Sequence, residues 1–117
     1  MEDCLFCRII AKEIPGDIVF ENEKVMAFKD IHPVAPVHIL VVPKIHIQDM
    51  NAITAENVSY IEAIYQAIPM IAKEAGVFER GYRVICNCGE EGGQLVPHLH
   101  FHLIGGKKLG SKICHES

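Results

Sequence analysis

Pro97-His98-Leu99-His100-Phe101-His102-Leu103-Ile104 sets three histidines at intervals of two, each followed by an apolar residue. Side chains alternate across an extended strand, so this period places His98, His100 and His102 on one face. Neighbours on that face would stand about 6–7 Å apart. Leu99, Phe101 and Leu103 then enter a core from the opposite face. The pattern predicts a strand over residues 95–104, closed by Gly105-Gly106.

Upstream lies a Gly-rich, acidic loop over 88–94, preceded by a strand over 82–87. Before these comes one long amphipathic segment. Val58, Ile61, Tyr65, Ile68, Ala72 and Ala75 form a stripe at helical spacing, widened by Ile64, Ala67 and Ile71. Thr54 is the expected N-cap of a helix over 55–75, and Gly76 stands past its end. Pro69 should kink it near Tyr65, whose carbonyl loses its donor. A stripe this broad suggests two buried sides, one on the sheet and one on a partner. Residues 18–21, 25–28 and 38–43 read as strands, the last apolar on both faces and therefore central. Residues 4–12 read as a short helix ended by Pro15-Gly16. The sum is an α+β domain: a mainly antiparallel five-stranded sheet with one long and one short helix.

The 117 residues make one domain, with 107–117 as a C-terminal tail. Half the residues are hydrophobic and 22% are charged, an ordinary globular balance. A net charge of −4 with scattered cations argues against a nucleic acid polymer as partner; Lys107, Lys108 and Lys112 are the only loose basic group. No apolar run is long enough to span a bilayer, so no membrane role is expected. Glu2 and Asp3 at the start read against a secretory leader, and a cytoplasmic protein is the expectation. Five cysteines, an odd number, favour thiols or metal ligands over disulfides.

Three chemistries could use a row of histidines: a catalytic metal site, nucleophilic catalysis by one imidazole, or structural metal binding. The Gly-rich loop before the row can offer backbone N–H groups to anionic oxygens. His38, opening the central strand, can bring a further donor. Together these favour attack on a phosphate.

The stretch from His98 to Ile104 matches the His-φ-His-φ-His-φ-φ signature, with φ apolar. The sequence resembles the histidine triad (HIT) superfamily over nearly its whole length. Phe28-Lys29-Asp30-Ile31, Ala35-Pro36-Val37-His38, Val42-Pro43-Lys44, Asn87 and Gly92-Gly93-Gln94 carry the likeness with the triad. Gly105-Gly106 after the signature is similar to the nucleotide-binding branch, the purine nucleoside phosphoramidases. The resemblance implies a HIT-like fold whose sheets join across a homodimer. It implies hydrolysis of purine nucleoside 5′-phosphoramidates or acyl-adenylates to the nucleoside monophosphate, through a nucleotidyl-histidine on His100. His102 and His38 would donate to phosphate oxygens, with no catalytic cofactor. The alternatives are a dinucleoside polyphosphate hydrolase and a non-catalytic nucleotide-binding or scaffold protein.

By the same resemblance, Leu5, Phe6, Ile9, Phe28, Asp30 and Ile31 would hold base and ribose, with Asp30 accepting from the ribose hydroxyls. Asn87, Gly93, Gln94 and Leu95 would lie beside the phosphate and leaving group. A carbonyl on a neighbouring strand would set the His100 tautomer. Leu95 departs from relatives that carry a small or polar residue there. Cys4-Leu5-Phe6-Cys7 by itself is open between metal, redox and chance. The resemblance implies a structural zinc held by Cys4, Cys7, His46 and His98. Cys86 and Cys88 read as small buried residues, and Cys114 has no assigned role.

Overall fold

Five strands form one antiparallel sheet in a computed structural model that describes residues 4–111. The elements are α1 (Leu5–Ile10), β1 (Ile18–Glu21), β2 (Val25–Lys29), β3 (Val37–Pro43), α2 (Val58–Ala75), β4 (Tyr82–Ile85) and β5 (Phe101–Gly105). A single 3-10 turn, Met50–Ala52, precedes α2. The strand order is β1-β2-β3-β5-β4, which makes β3 central as its two-sided apolar pattern requires. The tight β1–β2 connection is closed by Asn22, whose Oδ1 accepts from the backbone N–H groups of Lys24 and Val25.

Alternation sorts β2, β3 and β5 between two cores. Val25, Ala27, Ile39, Val41, Phe101 and Leu103 face α2, where Ile64, Ala67, Ile68 and Ile71 cover them. Met26, Phe28, Leu40 and Val42 face the other way, against Phe6 and Ile9 of α1. The histidine row lies on this second face. Because α1 covers only part of it, polar side chains can sit at the edge of an apolar layer without filling the interior.

The element ends differ from the sequence reading for identifiable reasons. The short helix stops at Ile10 because Lys12 takes φ 63°, a left-handed conformation that ends the helix before Pro15 is reached. The long helix begins at Val58, not residue 55. Asn57 accepts from the Thr54 N–H and donates to the Ala52 carbonyl, so 54–57 form a closed turn and Asn57 is the capping residue. Gly76 ends α2 at φ 81°, as expected, and the helix runs unbroken through Pro69. The fifth strand is the largest correction: it starts at Phe101, not residue 95. Phe101 pairs with Val41, so Leu99 would next face Pro43, which has no N–H to give a ladder. The Leu99 N–H goes instead to the Ile47 carbonyl, and the His98 N–H turns back onto Val96. No described helix is long and apolar enough to cross a membrane.

Candidate active site and an adjoining cysteine–histidine cluster

His98 and His100 therefore sit on a turn leading into β5, and only His102 sits in the ladder. All three still share the α1 face. The rings of His100 and His102 lie 5.1 Å apart, and Phe6 of α1 stands edge-on to both His98 and His100 at 5.8 and 5.1 Å. His38, opposite Ile104 in the register, brings its ring to 5.2 Å from His102. His98, His38 and His100 are buried, and His102 is half-buried.

The hydrogen bonds assign each ring a distinct tautomer. His100 Nδ1 donates to the His98 carbonyl at 2.7 Å, which leaves its Nε2 with a free lone pair. That carbonyl lies two residues back in the same turn, not on a neighbouring strand as expected. The turn that shortens β5 is thus what orients His100. His38 Nδ1 accepts from the Val34 N–H at 3.2 Å, so its Nε2 carries the proton. That proton faces His102 Nδ1 at 2.9 Å and Asp30 Oδ2 at 3.3 Å. His102 Nδ1 is then an acceptor, and its Nε2 carries the remaining proton. Asp30, His38 and His102 could together contact an ion by distance alone. The Val34 N–H argues against it, because a neutral ring cannot accept at Nδ1 and also offer a lone pair at Nε2. The cluster is a hydrogen-bonded relay. The sequence reading gave His38 and His102 one shared task; the geometry turns His38 toward His102.

Burial pushes the His102 pKa down to about 4, helped by the neighbouring His100 and His38. Burial likewise lowers the His100 pKa, against the opposing pull of its bond to the His98 carbonyl and the charge of Asp30. Both rings are neutral at pH 7, the state in which an imidazole is nucleophilic.

His98 belongs to a different constellation. Its Nε2 donates to the Pro43 carbonyl at 3.2 Å, which leaves Nδ1 unprotonated. That atom faces Cys4 Sγ at 3.1 Å and Cys7 Sγ at 3.5 Å, while His46 Nδ1 lies 3.4 Å from Cys7 Sγ. The four donor atoms all fall within 4.8 Å of one another. A tetrahedral ion with bonds of roughly 2.0–2.3 Å needs donors roughly 3.3–3.8 Å apart, so this set fits zinc. The anchored Nε2–H is the outer support that metal-bound histidines use. Burial, and then the adjacent Cys4 thiol, push the Cys7 thiol up to about 11, so without a cation it stays protonated. Burial pushes Cys86 up to about 11 as well. Cys86 and Cys88 are half-buried, not buried as the sequence reading had them, because both stand just past the end of the edge strand β4. Cys114 lies outside the described residues.

The other expected contacts are distributed unevenly. Phe6, Ile9 and Phe28 are core residues, with Phe6 and Phe28 edge-to-face at 5.4 Å. Leu5 and Ile31 are exposed, the latter at 85%, and are free to meet a ligand. Asp30 Oδ1 accepts from the His32 N–H at 2.8 Å. Asn87 is half-buried, and Leu95 is 91% exposed. The Gln94 side chain is wholly occupied: Oε1 accepts from the Gly89 N–H, and Nε2 donates to the Gln48 and Val96 carbonyls. It staples the loop, whose Gly93 and Gln94 N–H groups are likewise spent internally, on the Glu90 and Gly89 carbonyls. A cavity of about 680 Å³ lies behind Asp30 and His38, on the α2 side between Val19, Ile39 and Ile71. Sequence reasoning missed the carbonyls of His98 and Pro43 and the N–H of Val34. Backbone groups carry no residue signal, and nothing in the sequence could have singled them out.

This sheet, with three histidines spaced by two and a fourth on the adjacent strand, defines a histidine triad protein. The HIT domain family matches residues 11–109, and the chain belongs to that family. It is 43% identical over 115 residues to the purine nucleoside phosphoramidase of Escherichia coli strain K12, covering 98% of this chain and 97% of that one. It superposes on a HIT family hydrolase from Clostridium thermocellum with a TM-score of 0.95 and 46% identity, over 97% of this chain and 99% of the other. A histidine triad protein from Clostridium difficile gives 0.92 and 47%, over 96% and 97%. The chain is thus a homologue of HIT family hydrolases.

Proposed function

We propose that the protein hydrolyses purine nucleoside 5′-phosphoramidates or acyl-adenylates to the nucleoside monophosphate. The observation that carries this reading is the tautomer of His100: Nδ1 tied to the His98 carbonyl and Nε2 left free in a neutral ring. His100 Nε2 attacks the α-phosphorus and the bond to the leaving amine or acyl oxygen breaks, giving a nucleotidyl-histidine. Water then attacks phosphorus, the P–N bond to His100 breaks, and the nucleoside monophosphate leaves. His102 Nε2–H meets the charge that develops on the phosphoryl oxygens. Asp30, beside exposed Ile31, accepts from the ribose. The 43% identity to a purine nucleoside phosphoramidase supports the substrate class. The test is release of AMP from adenosine 5′-phosphoramidate, resistant to EDTA and lost on replacing His100.

His38 acts in this scheme as a positioning residue, holding the His102 proton on Nε2. His38→Ala is expected to lower kcat about tenfold to a hundredfold while KM changes much less, since no ligand contact is lost. His38→Gln, which can still donate toward His102 Nδ1, should recover part of the loss. A rise in KM with kcat unchanged would instead make His38 a binding group.

The acid limb of activity follows from burial. Because the charged form is disfavoured, neutral His100 and His102 persist below the ordinary imidazole pKa of about 6.5. The kcat/KM for adenosine 5′-phosphoramidate should stay level from pH 7.5 to below 6 and fall nearer the value of about 4 reached by His102. A midpoint at 6.5 or above would contradict the neutral-nucleophile reading.

Structural zinc at Cys4, Cys7, His46 and His98 is part of the same proposal. Bound there, zinc would tie α1 to the triad turn, hold His98 in place and supply folding energy, leaving His100 and His102 to the chemistry. A homodimer is proposed from the apolar side chains that α2 and the segment after it leave exposed, Val58, Tyr65 and Phe78, and from the outer edge of β4, which pairs with no strand among the described residues.

A further inference from the structure

A second cavity, of about 610 Å³, lies beyond the last residue of β5, whereas His100 lies just before the first. His100 and Gly106 are six residue steps apart along extended chain, roughly 20 Å. Four cationic side chains line the cavity: Arg80, Arg83, Lys107 and Lys108. The chain has eleven lysines and arginines and a net charge of −4, so four of its cations converge on one hollow of an acidic protein. None of the four is paired with a carboxylate among the described residues. Arg83 is held in place, its Nη2 donating to the Gly110 carbonyl at 2.6 Å. Gly81 and Gly110 line the same wall at φ 105° and 86°, with open space where a side chain would stand. The backbone there is open to close approach by a ligand.

We propose that this cavity binds a small molecule carrying two or more linked phosphates, separately from the histidine site. Four cations around one hollow raise the local positive potential and so attract an anion. Guanidinium and ammonium donors match phosphate oxygens, and a cavity of this size accommodates a small ligand. Four cations spread along one hollow suit a phosphate chain better than one phosphate.

Calorimetric titration of the full-length protein with inorganic tripolyphosphate at low salt tests the assignment. The Arg80→Gln/Lys108→Gln variant should bind at least about tenfold more weakly, the equivalent of losing one or two charge-assisted hydrogen bonds. Lys107→Gln/Lys108→Gln, again at exposed positions, should repeat the loss should the first variant fold poorly. His100→Asn should bind as the parent does, and so should Lys12→Gln/Lys73→Gln, which removes two cations elsewhere. Loss of binding in His100→Asn would place the anion at the triad and overturn the proposal. Equal loss in the Lys12/Lys73 control would reduce it to net charge. Absence of binding by the parent protein would also end it.

Discussion

Replacing His100 with alanine is expected to lower the rate of AMP release from adenosine 5′-phosphoramidate at least about a thousandfold, with no rescue by added metal. The magnitude follows from the role: a nucleophile that forms the intermediate has no substitute within reach. His102 Nδ1 faces His38 and its Nε2 carries a proton, while His98 Nδ1 is turned to the two cysteines. Neither offers a free lone pair at the same place. His100 is 6% exposed and its ring packs against Phe6, so alanine leaves a void that costs stability. His100→Asn fills more of that space and separates the two effects. It should fold as the parent does and still be inactive. Mass spectrometry of the parent protein mixed with substrate should reveal a nucleotidyl adduct that both variants lack. Activity that persists in both variants but dies on brief exposure to EDTA would make this a metal-dependent enzyme and remove His100 from its role.

Replacing Cys4 with serine is expected to abolish zinc binding and lower Tm by more than about 10 °C, as loss of a structural metal does in a domain of this size. The substitution is chosen for its selectivity. Cys4 caps α1, its Sγ accepting from the Cys7 N–H at 3.3 Å, and serine is a strong capping residue. The helix start is therefore kept while the thiolate ligand is lost. Zinc binding should also release protons, because the Cys7 thiol, held up near 11 by burial and by Cys4, must ionise to ligate. Affinity for zinc should accordingly rise with pH. Metal analysis of protein purified without a histidine tag should find one zinc per chain. Less than about 0.2 per chain, with the Tm of Cys4→Ser unchanged, would show that the four residues pack without a metal. AMP release should survive zinc loss to the extent that the fold does, which keeps this test separate from that of His100.

The amino-acid sequence alone determined the face on which the triad lies, the central position of β3, the two helices and the antiparallel sheet. These follow from periodicity, which is local: an alternation of two or a stripe at 3.6 is written in neighbouring residues. The identities of the histidines and of the Cys4–Cys7 pair were equally plain, as was the family they mark. Only the tertiary structure decided what each imidazole faces. Cys4 and His98 are 94 positions apart, and His38 and His102 are 64 apart. Which nitrogen of each ring carries the proton is set by backbone groups at Val34, Pro43 and His98 that have no residue signature. The same holds for the start of β5, which depends on the missing N–H of Pro43 across the sheet, and for Arg80 and Lys108 sharing one hollow. Pattern reports which face a side chain takes; partners distant in the chain decide where its proton sits.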